Sequence, residues 1–423
     1  MDQAKPFSLL NADGSVSRRS FLVGSGLGIG GLLVGGLAAC GKDEGGPAAA
    51  PLPTGPLAFG WIQPTTGLYA AGYAPIYVSG QIAVEEINKA GGILGRPIER
   101  SVQDDEGDPA KEPAIIQKLI SENIGMVLGP TGGSQVQASI AAAARSKIVQ
   151  CAWTNDSSIL LGGKYPYEYG LTWNTQQSSQ IAVDYLVGKR SVRKVAILAE
   201  DSAFGQSATQ TTKESLAKIG ISNVPTETYP VSSKTMDTYV RNVLANDIEG
   251  IFYWGANLQN TVQIFAALDQ QNARLPIVGQ AAMQYDQIVQ NSPIDIIKDV
   301  WSVGLKAYTW TNNSSPTQRR VDYVKKLSGY QETKGGTAIH ANAPYYDFPW
   351  LLKAVIEDIK SFDPEKIKAA LDNVKGYDGM IGKITLTPND HGGLALDDLA
   401  LLNVASGRDT TKAVGGVFRQ RES

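Results

Sequence analysis

One feature constrains the fold more than any other: a strand–turn–helix unit recurs along the chain, and the alternation starts twice. Short strands are predicted at 57–63, 98–103, 126–128 and 148–152. Between them lie helices over 75–90, over 108–120 and over 135–144, each with its apolar residues gathered on one side. Asp108-Pro109 is a natural helix start, a capping carboxylate followed by proline at the first helical position. Gly91-Gly92 is a natural stop. After Asn174 the pattern restarts, with strands at 194–199, 226–230, 250–254 and 275–279 and helices over 177–189, 207–219, 236–246 and 261–270. Two successive arrays of this kind imply an α/β fold with two mostly parallel sheets, each covered by helices on both faces. Beyond them, 300–309 reads as extended, 317–328, 345–359 and 364–371 as helical, and 380–387 and 415–419 as strand-like. Pro349 interrupts a helical pattern and predicts a bend or the true helix start.

A chain of 423 residues with 43% apolar content suits two domains. Its first part is of another kind. Ser17-Arg18-Arg19-Ser20-Phe21-Leu22 opens a glycine-rich apolar run ending at Leu37-Ala38-Ala39-Cys40. Paired arginines before such a run mark twin-arginine export. Length alone would suit a membrane anchor, but the glycine content makes a poor span, and small residues before Cys40 fit a processing site. Leu-Ala-Ala-Cys resembles the lipobox of bacterial lipoproteins, which implies cleavage after residue 39 and a lipid on Cys40. Processing without lipid and a retained anchor are the alternatives. Residues 40–56, rich in glycine and proline, read as a flexible tether. The expected location is therefore the periplasmic or outer face of a membrane. Formal net charge is −3 with no basic block, which argues against nucleic acid. Cys151 is the only other cysteine, so a lipidated Cys40 leaves no intrachain disulfide. His340 and His391 have no metal-ligand spacing, and no cofactor is expected.

Gly129-Pro130-Thr131-Gly132-Gly133-Ser134 joins a buried strand to a helix. In an open α/β sheet such a loop lies at the carboxyl edge, where ligands bind. Glycine lets backbone amides approach, and the helix start favours an anion. Thr131 or Ser134 would add a hydroxyl, and a purely structural turn is the alternative. Ala152-Trp153-Thr154 follows the neighbouring strand, with Thr154 directed at the same crevice and Trp153 read as packing. Trp61, Tyr69, Phe204, Trp254, Tyr285 and Trp310 fall near strand ends and would line a cleft with flat apolar walls. Neither Gly-x-Ser-x-Gly nor His-Glu-x-x-His occurs. Asp104-Asp105-Glu106 is the best excuse for an enzyme, but a solvated or capping role is the simpler reading. Cys151 is expected to be buried and inert.

The run Ile87-Asn88-Lys89-Ala90-Gly91-Gly92-Ile93-Leu94-Gly95-Arg96-Pro97-Ile98-Glu99 resembles the Leu/Ile/Val-binding protein family, the type I periplasmic binding proteins of branched-chain amino-acid importers. Asp104-Asp105, Asp108-Pro109-Ala110, Thr66-Gly67, Thr154-Asn155, Glu200-Asp201 with Phe204-Gly205, and Tyr346-Asp347 fit the same pattern in order. The resemblance implies two Rossmann-like lobes joined by three crossings, near 172–175, 306–310 and 374–382, with the ligand between them. Lobe one would combine 57–173 with 309–375, and lobe two 174–308 with 379–423.

It further implies an extracytoplasmic substrate-binding protein, with no catalysis, that delivers a branched-chain or related amino acid to the permease of an ABC transporter. Gly133, Ser134, Ala152 and Thr154 would hold the carboxylate, while Trp61, Tyr69, Phe204, Trp254 and Ala281 would complete the site. The family commonly carries an acidic residue near position 281 to meet the ligand ammonium. This chain has Gln280-Ala281-Ala282, so Asp201 or Asp286 would have to serve. That departure opens two alternatives: an aromatic or branched carboxylic acid, and an amide-responsive sensory module.

Overall fold

The computed structural model describes residues 54–67, 69–333 and 339–422. The arginine pair, Cys40 and the tether before residue 54 lie outside the described residues. Strand β1 (Leu57–Gln63) is followed by the single turn α1 (Ala70–Tyr73), α2 (Val78–Lys89), β2 (Ile98–Asp104) and α3 (Glu112–Ser121). Next come β3 (Met126–Thr131), α4 (Gly133–Arg145) and β4 (Val149–Trp153). The four strands form a parallel sheet in the order β2-β1-β3-β4. Every residue of β3 and β4 is buried, which explains their continuous apolar runs: helices cover both faces.

The chain then crosses to a second sheet. Its elements are α5 (Thr175–Val183), β5 (Val195–Glu200), α6 (Ala203–Ala217), β6 (Thr226–Tyr229), α7 (Asp237–Leu244), β7 (Gly250–Trp254), α8 (Leu258–Gln270) and β8 (Ile277–Gly279). The short helices α9 (Asp286–Asn291) and α10 (Ile294–Ile297) precede β9 (Val300–Leu305). A 3-10 turn leads to β10 (Thr309–Trp310), and the chain returns to the first lobe as α11 (Gln318–Leu327), α12 (Ile339–Ile359) and α13 (Pro364–Leu371). The hairpin β11 (Tyr377–Asp378) and β12 (Lys383–Ile384) follows, then β13 (Leu399–Asn403) and β14 (Arg419–Gln420). The second sheet runs β13-β9-β8-β7-β5-β6, parallel except for the antiparallel edge strand β13. The architecture is α/β, with two parallel-type sheets.

Four details differ from the sequence reading, each for a physical reason. The stretch 300–309 is broken by the 3-10 turn at Lys306–Tyr308, which turns the chain out of the second sheet. Helix α12 starts at Ile339 and keeps both Pro344 and Pro349 in its interior. Burial outweighs their cost: Asn342 Nδ2 donates to the carbonyls of Pro75 and Ile76, and Tyr345 Oη donates to that of Pro130. Strand β13 escapes a pattern search, because Leu-Ala-Leu-Leu-Asn does not alternate.

The fourth difference concerns the last crossing. Of 380–387 only β12 is strand, and the chain stays on the first lobe well past residue 379. Asp347 of α12 accepts the N–H groups of Met380 (2.7 Å) and Ile381 (2.9 Å). Further on, His391 stacks on Tyr169 at 4.1 Å. Its Nε2 lies 3.0 Å from Asp372 Oδ1 and its Nδ1 lies 2.7 Å from the Glu168 carbonyl. Asp372 also accepts from Tyr169 Oη (2.8 Å) and Lys368 Nζ (2.6 Å). Burial alone would push this carboxyl up, but hydrogen bonds from His391, Lys368 and Tyr169 hold it at about 2, below its ordinary 3.8. A depressed carboxylate pKa stabilises the fold above the unfolded value and loses that contribution as pH falls through the folded value. Asp372→Asn is therefore expected to cost roughly 2 kcal/mol at neutral pH, measured by urea denaturation. The difference from the parent should shrink as pH drops from about 4 towards 2. An equal difference across that range would refute the assignment.

Candidate functional site

The site begins where the first sheet ends. A buried hydroxyl network fixes the turn after β3: Thr131 Oγ1 lies 3.0 Å from Tyr77 Oη and 2.9 Å from Tyr345 Oη, and Tyr77 also donates to the Ile62 carbonyl. Thr131 is fully buried and spent in this network, so it is no ligand donor. The turn delivers the start of α4, a 13-residue helix, to the sheet edge. The first amides of an α-helix have no partner within the helix, and the helix dipole adds a partial positive charge there.

Opposite stands the start of α6, a 15-residue helix capped by Ser202, whose hydroxyl accepts from Gly205 N–H at 3.2 Å. The two helix starts nearly touch. A Cβ on Gly133 would sit 2.9 Å from Phe204 N, and Ser134 Oγ accepts from Ala203 N–H at 3.4 Å. Other bridges between the lobes include Tyr285 Oη to the Gly72 carbonyl (2.9 Å), Ser157 Oγ to Ser207 Oγ (3.5 Å) and Thr175 N–H to the Asn155 carbonyl (2.6 Å).

Between the helix starts lies a cavity of about 270 Å³. Of the sequence-derived candidates, Tyr69, Gly133, Ser134, Thr154, Asp201 and Phe204 line it. Thr154 Oγ1 accepts from Asp156 N–H at 3.1 Å, which leaves its proton free to donate. Tyr69 stacks on Tyr73 at 4.9 Å, forming an aromatic wall. Asp201 accepts from Val231 N–H at 3.0 Å and remains exposed.

The other candidates lie elsewhere. Trp61 is fully buried beneath α2, where Gly80 makes room for its ring, because β1 is a central strand covered on both sides. Trp254 is fully buried in the core and Trp310 lies under Lys412. Ala152 is buried with its N–H spent on Glu168 Oε1 (2.9 Å). Ala281 is buried at the start of a 3-10 turn, and its neighbour Gln280 faces the cavity instead. Asp286 begins α9 beside Gly416 and lines no cavity wall described here. The acidic cluster serves local turns: Asp104 accepts from Thr65 N–H and Thr66 Oγ1, Asp105 from Gly107 N–H, and Asp108 from Ala110 N–H.

Several wall residues escape the sequence reading. Trp153, read as packing, lines the cavity, as do Tyr73, Gln135 and Val231. Tyr73 was discoverable as the residue one helical turn beyond Tyr69. Glu200 also reaches the cavity. Its two oxygens are engaged by Ser202 Oγ (2.5 Å) and Ala256 N–H (2.6 Å), and burial raises its pKa. Gln280 is held in place by donating to the Gly255 carbonyl and accepting from Ala282 N–H. Gln280 thus brings an amide, not a carboxylate, to this part of the wall.

The cavity thus lies where the carboxyl ends of the strands of the two sheets meet. The chain belongs to the periplasmic binding protein family, whose model matches residues 56–409. It is 24% identical to the Leu/Ile/Val-binding protein BraC3 of Rhizobium johnstonii over 80% of this chain and 89% of that one. Its fold is that of the branched-chain amino acid transporter substrate binding protein LivJ from Streptococcus pneumoniae, solved with isoleucine. That match has TM-score 0.68 and 18% identity, over 82% of this chain and 96% of that one. It is equally that of a solute binding protein of an ABC transporter from Rhodopseudomonas palustris HaA2, solved with p-hydroxybenzoic acid. Here the TM-score is 0.69 and the identity 18%, over 83% and 93% of the two chains. The family is extracytoplasmic, and among the described residues no helix is long and apolar enough to cross a membrane.

The contact at Gly133 is testable. Gly133→Ala is expected to leave the melting temperature of the unliganded protein nearly unchanged, because helix starts tolerate alanine. It should abolish or sharply reduce the thermal shift that a ligand gives the parent, because the added methyl holds the lobes apart. An undiminished ligand shift would show that the lobes do not close through this contact.

Proposed function

We propose that this protein is the lipid-tethered solute receptor of an ABC importer and that it holds a small organic carboxylate unchanged between its lobes. The observation that carries the reading is the cavity bounded by the starts of α4 and α6, with the Ser134 and Thr154 hydroxyls on its wall. Converging helix starts and hydroxyl donors suit an anion and lack the machinery for bond cleavage. A branched-chain or related amino acid is the first reading, with Asp201 as ammonium partner. An aromatic carboxylic acid without an amino group is the second. It is favoured by an uncharged amide, Gln280, on the lobe-two wall and by the walls of Tyr69, Tyr73, Trp153 and Phe204.

Calorimetry against amino acids and aromatic acids tests both readings. Binding by no member of either class would sink the proposal. If an amino acid binds, Asp201→Asn is expected to weaken it by about fivefold, since an ion pair at an exposed residue is worth up to about 1 kcal/mol. If an aromatic acid binds instead, the same change should leave its affinity within about threefold.

The tether is tested separately. Protein extracted from membranes should carry its N-terminus at Cys40 with added acyl mass, and Cys40→Ser should release it in soluble form. An N-terminus at Met1 with no added mass would reject the lipoprotein reading.

A further inference from the structure

Beyond the main cavity lies a smaller one that the carboxylate site does not use. It shares Tyr73, Trp153, Ala256 and Gln280 with the larger cavity and continues past them to Gly72, Tyr285 and His340. Its volume is about 20 Å³. That is room for one small polar group, since a water molecule needs about 10–15 Å³ on this measure.

The polar inventory of this recess is unusual. His340 projects from α12, is 1% exposed, and is ringed by Trp153 (5.4 Å), Trp173 (6.0 Å) and Tyr285 (6.4 Å). Its Nδ1 has no hydrogen-bond partner among the described residues, and neither has Trp153 Nε1. Trp153 is itself 7% exposed. Buried polar groups are rarely left without partners, because each orphan costs about 1–3 kcal/mol. His340 and Trp153 both line this one recess at the inner end of the cavity, so a single group bound there could serve both orphans. Burial pushes the His340 pKa down to about 3, so the ring is neutral and offers one acceptor nitrogen and one N–H. Tyr285 Oη, already donating to Gly72, has acceptor capacity left.

The occupant's chemistry follows from this set. An acceptor nitrogen and an indole N–H are both satisfied by a single hydroxyl, which donates to one and accepts from the other. A carboxylate or ammonium there would be buried without a counter-charge. The walls of the approach are aromatic. We propose that this recess is a specificity subsite for a phenolic hydroxyl at the far end of the solute, recognised by His340 and Trp153. The inference rests on the reading of the main cavity as a carboxylate site. It narrows the solute to an aromatic carboxylate or aromatic amino acid bearing a hydroxyl opposite its carboxyl group.

Two pairs of probes that differ only in that hydroxyl test the proposal: 4-hydroxybenzoate with benzoate, and L-tyrosine with L-phenylalanine. Calorimetry on the parent should give the hydroxylated member of the binding pair an affinity at least about tenfold higher, the value of one well-made hydrogen bond. His340→Phe keeps an aromatic ring in place and removes the acceptor. It should bring the hydroxylated probe to within about threefold of its partner and leave the partner's affinity unchanged. A merely structural histidine would lower both affinities together, which would overturn the subsite. Should the variant not fold, discrimination by the parent still decides. Equal affinity for both members of a pair would mean that water fills the recess, and it would overturn the inference alone. Failure of all four probes also overturns the inference. The wider panel of carboxylates and amino acids then decides separately whether the carboxylate reading survives.

Discussion

The site depends on two helix starts brought face to face across the cleft. Each presents the partial positive charge of a helix N-terminus, so the arrangement sets like charge against like. Everything near them bears on keeping that geometry. The Tyr77–Thr131–Tyr345 network fixes the turn before α4, and Ser202 caps α6. Gly133 omits the one side-chain atom that would keep the helices apart. On the proposed reading, an anionic solute would relieve that repulsion and favour closure. Closure of this kind gives selectivity without a rigid pocket.

The lobe-two wall is notable for how little of its polarity remains available. Glu200 is buried at the cavity edge, yet it accepts from the Ala256 amide and the Ser202 hydroxyl and so serves the turn between β7 and α8. Gln280 does similar service for the turns around Gly255 and Ala282. Only Asp201 combines a carboxylate, exposure and a place on the wall.

Much of the fold was legible in sequence, because βα units write their periodicity and their stops locally. Strand β1, strand β7 and helix α13 occupy the predicted residues. The illegible parts are those whose structure is set by distant partners. Strand β13 exists because β9 offers it an edge, and α12 tolerates two prolines because tertiary contacts hold it. The cavity lining was legible where backbone geometry makes it, as at Gly133, Ser134 and Thr154. It was less so where aromatic side chains make it. Sequence places Trp61 and Trp254 near strand ends but does not say which way their rings turn. Both turned into the core, while Trp153 and Tyr73 took the wall. His340 gave no signal, since a lone histidine in an apolar helix reads as packing until its surroundings are known.

The bridges between the lobes share a property: they are hydrogen bonds between uncharged groups, at Ser134, Ser157 and Tyr285. Among the described residues every recorded ion pair near the cleft stays within its own lobe. Neutral hydroxyls exchange protein partners for water at nearly equal free energy, and dissolved salt does not screen them. A latch built from such bonds holds little grip of its own and keeps the same grip in brine or in dilute medium. For a protein working outside the cytoplasm, where the cell does not set the ionic strength, bonds of this kind keep their strength in any medium.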